Sequence, residues 1–160
     1  MKGSKTDPSN YRPISLLPAF SKVIEKVLYN RLMDYLNKYN LMNFQQFGCR
    51  KRLSTEDAIF RLSHEILNAL NNRLIVGGIF FDLAKAFNSV NHSRLVQKLP
   101  YYGIVGKAKL LIESYLENRF QRVQLDTTLN LRTSSTWSKV KYGVQQGSVL
   151  GPLLFLLYRV

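Results

Sequence analysis

Cysteine occurs once in this chain, at Cys49, and histidine only at His64 and His92. One thiol excludes an intramolecular disulfide framework, and so few soft ligands argue against a structural zinc site. Long apolar runs are missing too. The longest near the C-terminus, Val149 to Tyr158, is about half of what a bilayer requires. The opening stretch Met1-Lys2-Gly3-Ser4-Lys5-Thr6-Asp7-Pro8 lacks the apolar centre of a signal peptide. The expectation is a soluble intracellular protein of cytosol or nucleus, with no membrane and no disulfide partner. Acids are scarce as well. Ten Asp and Glu stand against 23 Lys and Arg, a formal net charge of +13. That excess favours polyanionic partners, nucleic acid first and an acidic membrane surface second. A basic protein of ribosomal type fits the charge as well.

What is present suits one ordinary domain with its own core: 160 residues, 46% of them apolar. Pro8, Pro13 and Pro18 keep Tyr11 to Leu17 out of a helix. Phe20 to Tyr39 then reads as an amphipathic helix. Phe20, Val23, Ile24, Val27, Leu28, Leu32, Tyr35 and Leu36 fall at intervals of three and four. Asn40 to Leu53 is irregular and basic. Ser54-Thr55-Glu56-Asp57 resembles a capping box and opens a second helix, with Ala58, Ile59, Leu62, Ile66, Leu67 and Leu70 as its buried stripe. A basic loop before a helix start suits a phosphate, although a solvated charge run reads the same way.

Leu74 to Phe81 is the predicted central strand, with a carboxylate, Asp82, at its end. A strand that delivers an acid at its carboxyl end is a common way to present a metal ligand or a catalytic carboxylate. The alternative is that Asp82 caps the helical turn behind it. Ser89 to Leu99 reads as a short helix and Lys107 to Asn118 as a third amphipathic one. Phe120 to Leu125 and Trp137 to Val144 alternate as paired antiparallel strands would, around a Thr- and Ser-rich loop from Asp126 to Thr136. Val149 to Tyr158 is apolar nearly all round and reads as a buried helix with Pro152 in its first turn. One compact α/β unit is the simplest architecture.

Four stretches stand in order: Tyr11-Arg12-Pro13-Ile14-Ser15-Leu16-Leu17, Gln46-Phe47-Gly48-Cys49-Arg50-Lys51 with Ser54-Thr55, Phe81-Asp82-Leu83-Ala84-Lys85-Ala86-Phe87, and Gly143-Val144-Gln145-Gln146-Gly147-Ser148-Val149-Leu150-Gly151-Pro152. Together they resemble the reverse transcriptases of non-LTR, LINE-like and jockey-like retrotransposons. The first resembles the opening segment, the second the fingers motif, the third the first palm motif and the fourth the third block. The resemblance implies an α/β (α+β) fold: fingers plus a partial palm of a right-hand polymerase, helix-rich with a small antiparallel sheet. About residues 1–73 would be fingers-like and 74–160 an incomplete palm.

The implied reaction is RNA-directed DNA synthesis, with an RNA template, a DNA primer and deoxynucleoside triphosphates as partners and two Mg²⁺ ions as cofactors. By the same resemblance Asp82 is the catalytic and metal-binding acid, and the Leu83 carbonyl joins it. Arg50, Lys51, Phe87, Gln146 and Gly147 bind the nucleotide, with Phe87 as the gate against a ribose 2′-hydroxyl. Arg12 and Arg52 contact nucleic acid. Cys49 stands where the family has Phe, Gln145 where it has Pro, and Asn88 where these elements carry a second Asp. The family's other catalytic acids form an adjacent Asp-Asp pair beyond the third block. The five Asp here, Asp7, Asp34, Asp57, Asp82 and Asp126, include no such pair. The expectation is a fragment without polymerase activity of its own. The alternatives are a non-catalytic basic nucleic-acid-binding module and a decayed remnant.

Overall fold

The structure, a computed structural model, describes residues 11, 14–50, 53–83, 85–126 and 132–159, with the backbone alone at Asp126 and Arg132. Five α-helices lie among them: α1 (Ala19–Lys38), α2 (Thr55–Asn71), α3 (His92–Lys98), α4 (Gly106–Leu116) and α5 (Gly151–Arg159). Four short strands, β1 (Phe120–Gln121), β2 (Gln124–Asp126), β3 (Arg132–Ser134) and β4 (Ser138–Lys139), form two antiparallel ribbons, β1 with β4 and β2 with β3. The protein is therefore helix-rich with little sheet. The loop expected from Asp126 to Thr136 contains β3, which pairs Leu125 with Thr133.

The chain forms two units rather than one. The first takes the N-terminal segment to Asn30 together with Lys85 onward, and the second runs from Arg31 to Ala84. The first unit holds the larger core. α3 packs against α4 and α5, and Leu95, Leu99, Ile104, Ile112, Leu116, Leu150, Leu153, Leu154 and Leu157 are buried among these elements. Local chemistry sets the helix ends. The Asn91 side chain accepts from the Arg94 N–H at the start of α3. Gly103, at φ +71°, follows the 3₁₀ turn Leu99–Tyr102. Lys98 donates to the Tyr158 carbonyl at 2.7 Å, a cation on the carbonyl end of α5.

In the second unit the capping box at Ser54 forms as its sequence suggests. Ser54 Oγ accepts from the Asp57 N–H, and the Asp57 carboxylate accepts from the Ser54 N–H at 2.7 Å. The Ser54 side chain and then its backbone N–H hold the Asp57 carboxyl below its ordinary value. Asp in place of the usual Glu works because it still reaches the cap N–H.

Three expectations fail here. Leu74 to Phe81 is not a strand; residues 74–83 have no regular structure and are exposed throughout. A strand exists only where a neighbour supplies the ladder, and no described segment pairs with this one. The α2 stripe is not buried, since Ile59, Leu62, Leu67 and Leu70 are exposed. In α1 the exposed apolar set is Phe20, Val23, Ile24 and Val27, while Glu25, Met33 and Leu36 are the buried residues. A helical stripe is buried only where something packs on it, and the first half of α1 turns a carboxylate inward instead.

Candidate nucleotide and nucleic-acid site

The third block is where the first unit is most tightly tied. Gly143, at φ +89°, sits against backbone: a methyl group there would meet Asn88 Cα at 3.0 Å and the Phe87 carbonyl oxygen at 3.1 Å. Its N–H donates to the Val90 carbonyl at 2.7 Å, and the Val144 N–H donates to the Phe87 carbonyl at 2.8 Å. His92 Nε2 lies 2.7 Å from the Gly143 carbonyl. The end of the first palm motif is thus stitched to the start of the third block. Further on, the Ser15 N–H donates to the Gln146 carbonyl at 3.0 Å, which joins the opening segment to the same block. Gln146 and Gly147 form an exposed-edge turn, with Gly147 at φ +100°, a conformation that favours glycine.

The block ends in the capped start of α5. Ser148 Oγ accepts from the Gly151 N–H at 2.9 Å and donates to the Gln145 carbonyl at 2.9 Å. The remaining free donors are met by Glu25 of α1, only 2% exposed. Its Oε2 accepts from the N–H groups of Val149 at 2.6 Å and Leu150 at 3.2 Å, and its Oε1 from the Tyr115 hydroxyl at 3.1 Å. A negative group at a helix N-terminus is favoured by the helix dipole as well as by these bonds. Sequence reasoning missed Glu25. The available signal was an acid in register with Leu28, Leu32 and Leu36, the inward side of the helix. Burial, the largest influence on Tyr115, raises its phenol above the ordinary value.

The structure treats the expected site residues unequally. Phe87 is half-buried, its ring 5.2 Å from that of Phe155 in α5. Phe87, Gln146 and Gly147 therefore share the first unit. Asp82 and Leu83 fall in the second unit, exposed and outside any helix or strand. Asp82 is not a helix cap either: the 3₁₀ turn Ala86–Ser89 takes Lys85 as its N-cap. Arg50 also belongs to the second unit, where its Nη1 donates to the Asn43 carbonyl at 3.0 Å. Arg12, Lys51 and Arg52 lie outside the described residues.

A two-metal centre needs several carboxylates held together. Among the described residues no three His, Cys, Asp or Glu side chains are grouped as metal ligands. The described residues therefore do not by themselves complete such a centre. Nor is any described helix long and apolar enough to cross a membrane.

Helix-rich packing, small antiparallel ribbons and motif blocks in this order define a polymerase domain. The family described as reverse transcriptase (RNA-dependent DNA polymerase) matches residues 3–159, and the chain belongs to that family. It is 37% identical over 158 residues to the probable RNA-directed DNA polymerase from transposon BS of Drosophila melanogaster, covering 94% of this chain and 16% of that protein. Identity to the probable RNA-directed DNA polymerase from transposon X-element of the same species is 36%, over 95% of this chain and 16% of the relative. The RNA-directed DNA polymerase from mobile element jockey, also of Drosophila melanogaster, is 33% identical over 96% of this chain and 16% of its own length. The chain thus spans 16% of the length of these curated relatives. No solved structure matches.

Proposed function

We propose that this chain is the fingers and first part of the palm of a retrotransposon reverse transcriptase, which in the complete enzyme extends a DNA primer along an RNA template. Residues from about 1 to 73 act as fingers and those from 74 to 160 as the incomplete palm, working in cytosol or nucleus. The observation that carries this reading is the meeting of three motif blocks in one unit. Ser15, Phe87 and the segment Gly143–Gln146 are joined by backbone hydrogen bonds. A nucleotide pocket requires such rigid placement.

In this reading Phe87 gates the sugar, with Phe155 as its backing, and Gln146 and Gly147 lie along nucleotide and template. Arg50 and Lys51 face the triphosphate, and Arg12 and Arg52 grip the nucleic-acid backbone. Asp82 and the Leu83 carbonyl are the share of the Mg²⁺ ligands that these residues supply. A binding module without catalysis is the second reading, favoured by the net charge of +13.

The purified 160-residue chain is expected to bind a primer–template at low salt, with affinity falling steeply as salt rises, and to add no deoxynucleotides in Mg²⁺. No binding at low salt would overturn the reading. Robust incorporation that Asp82→Ala abolishes would overturn the expectation of inactivity.

A further inference from the structure

The ribbon of β1 and β4 carries a surface that the site above does not use. In its register Phe120 lies opposite Lys139 and Gln121 opposite Ser138. Side chains alternate between faces along an extended chain. The register continued by one residue sets Arg122 opposite Trp137, on the face that holds Phe120 and Lys139. The side chains agree, because the Arg122 guanidinium lies over the Trp137 ring, 4.9 Å from its centre. At the other end the Val140 N–H donates to the Arg119 carbonyl at 2.8 Å and prolongs the ladder. One face therefore presents two aromatic rings and two cations in alternation. Phe120 is 59% exposed and Trp137 64% exposed.

We propose that this face binds single-stranded nucleic acid, with bases stacked on Phe120 and Trp137 and phosphates held by Arg122 and Lys139. The proposal deepens the nucleic-acid reading above and rests on it. Charge selects the occupant. Residues 119–142 contain five cations, Arg119, Arg122, Arg132, Lys139 and Lys141, against one acid, Asp126. An apolar protein partner would leave Arg122 and Lys139 without counter-charges. A duplex would keep its base faces stacked away from the rings. A single strand satisfies both, since every base offers a π-face and every phosphate a charge. Phe120 and Trp137 are diagonal neighbours across the ribbon, roughly 7–8 Å apart by the usual geometry, a gap that an unstacked strand bridges from one base to the next.

Trp137 is the single tryptophan, so its emission reports on this face alone. Titration of the 160-residue chain with a short oligothymidine or oligouridine is expected to quench it. Anisotropy of the labelled oligonucleotide is expected to show roughly tenfold weaker binding for Phe120→Ala and for Trp137→Leu. R122Q and K139Q should each lower the salt slope by about 0.7. These four side chains belong to an exposed ribbon, and far-UV circular dichroism identifies the variants that retain the fold. Binding that leaves Trp137 emission unmoved and is unchanged in the folded variants overturns the proposal while the general nucleic-acid reading stands. Preference for a duplex over a single strand of the same length also overturns it. Failure to bind any nucleic acid at low salt overturns both.

Discussion

Replacing Glu25 with alanine tests whether a buried carboxylate holds the third block in place. The substitution leaves the N–H groups of Val149 and Leu150 without their acceptor. A buried donor stripped of its partner costs about 1–3 kcal/mol. Two of them give about 2–6 kcal/mol. The Tyr115 hydroxyl, only half-buried, can turn toward water and adds little. Water entering the space left by the carboxylate draws the total to the lower half of the range, about 3 kcal/mol. That is a large part of a typical domain stability of roughly 5–15 kcal/mol. With a urea slope of about 1.5 kcal/mol/M, the unfolding midpoint falls by about 2 M. Glu25→Gln is the discriminating control. Its amide oxygen still faces the two N–H groups, so the cost is about 1 kcal/mol. Urea unfolding followed by far-UV circular dichroism measures both. A Glu25→Ala cost below about 1 kcal/mol would refute the reasoning. Equal costs for the two variants would also refute it, because charge rather than acceptance would then be what matters.

Two further predictions concern the same unit. Burial raises the Tyr115 phenol above 10.0, so the folded state keeps its proton at a pH where the unfolded chain has lost it. Stability is therefore expected to decline as pH rises past 10.0, and Tyr115→Phe to make that alkaline decline shallower; an unchanged slope would contradict this. Gly143→Ala places a methyl group 3.0 Å from Asn88 Cα at φ +89°, and a loss of about 2–3 kcal/mol in the urea assay is expected. An alanine variant as stable as the parent would show that the Phe87 junction yields more easily than its geometry implies.

Features decided by neighbours in sequence were legible. The Ser54–Asp57 cap and the helix after it depend on contacts within a few residues, and Pro152 in the first turn of α5 is set by its own ring. The alternation of Ser138 to Tyr142 correctly pointed to an antiparallel ribbon, although only Ser138–Lys139 forms ladder with β1. What depends on distant partners was not legible. Leu74 to Phe81 has a strand's composition, yet composition cannot provide a ladder partner. The period of α1 located an apolar face but not which face turns inward. Glu25 was invisible because its donors lie 124 and 125 residues away. In the candidate site, the motif blocks could be named in order from sequence. Their meeting through Gly143, Phe87, Ser15 and Gln146 could not be read from it.

That separation has a consequence for synthesis. The inward carboxylate of α1 leaves the ribosome well before the N–H groups it caps, which are 124 and 125 residues behind it. At roughly 5–20 residues per second, the wait is on the order of ten seconds. The second unit, Arg31 to Ala84, emerges whole in that interval. Until α5 arrives, Glu25 has only water and Tyr115 to satisfy it, and the first unit's core is incomplete. Chains stalled before Val149 therefore hold the first unit without the helix that completes its core.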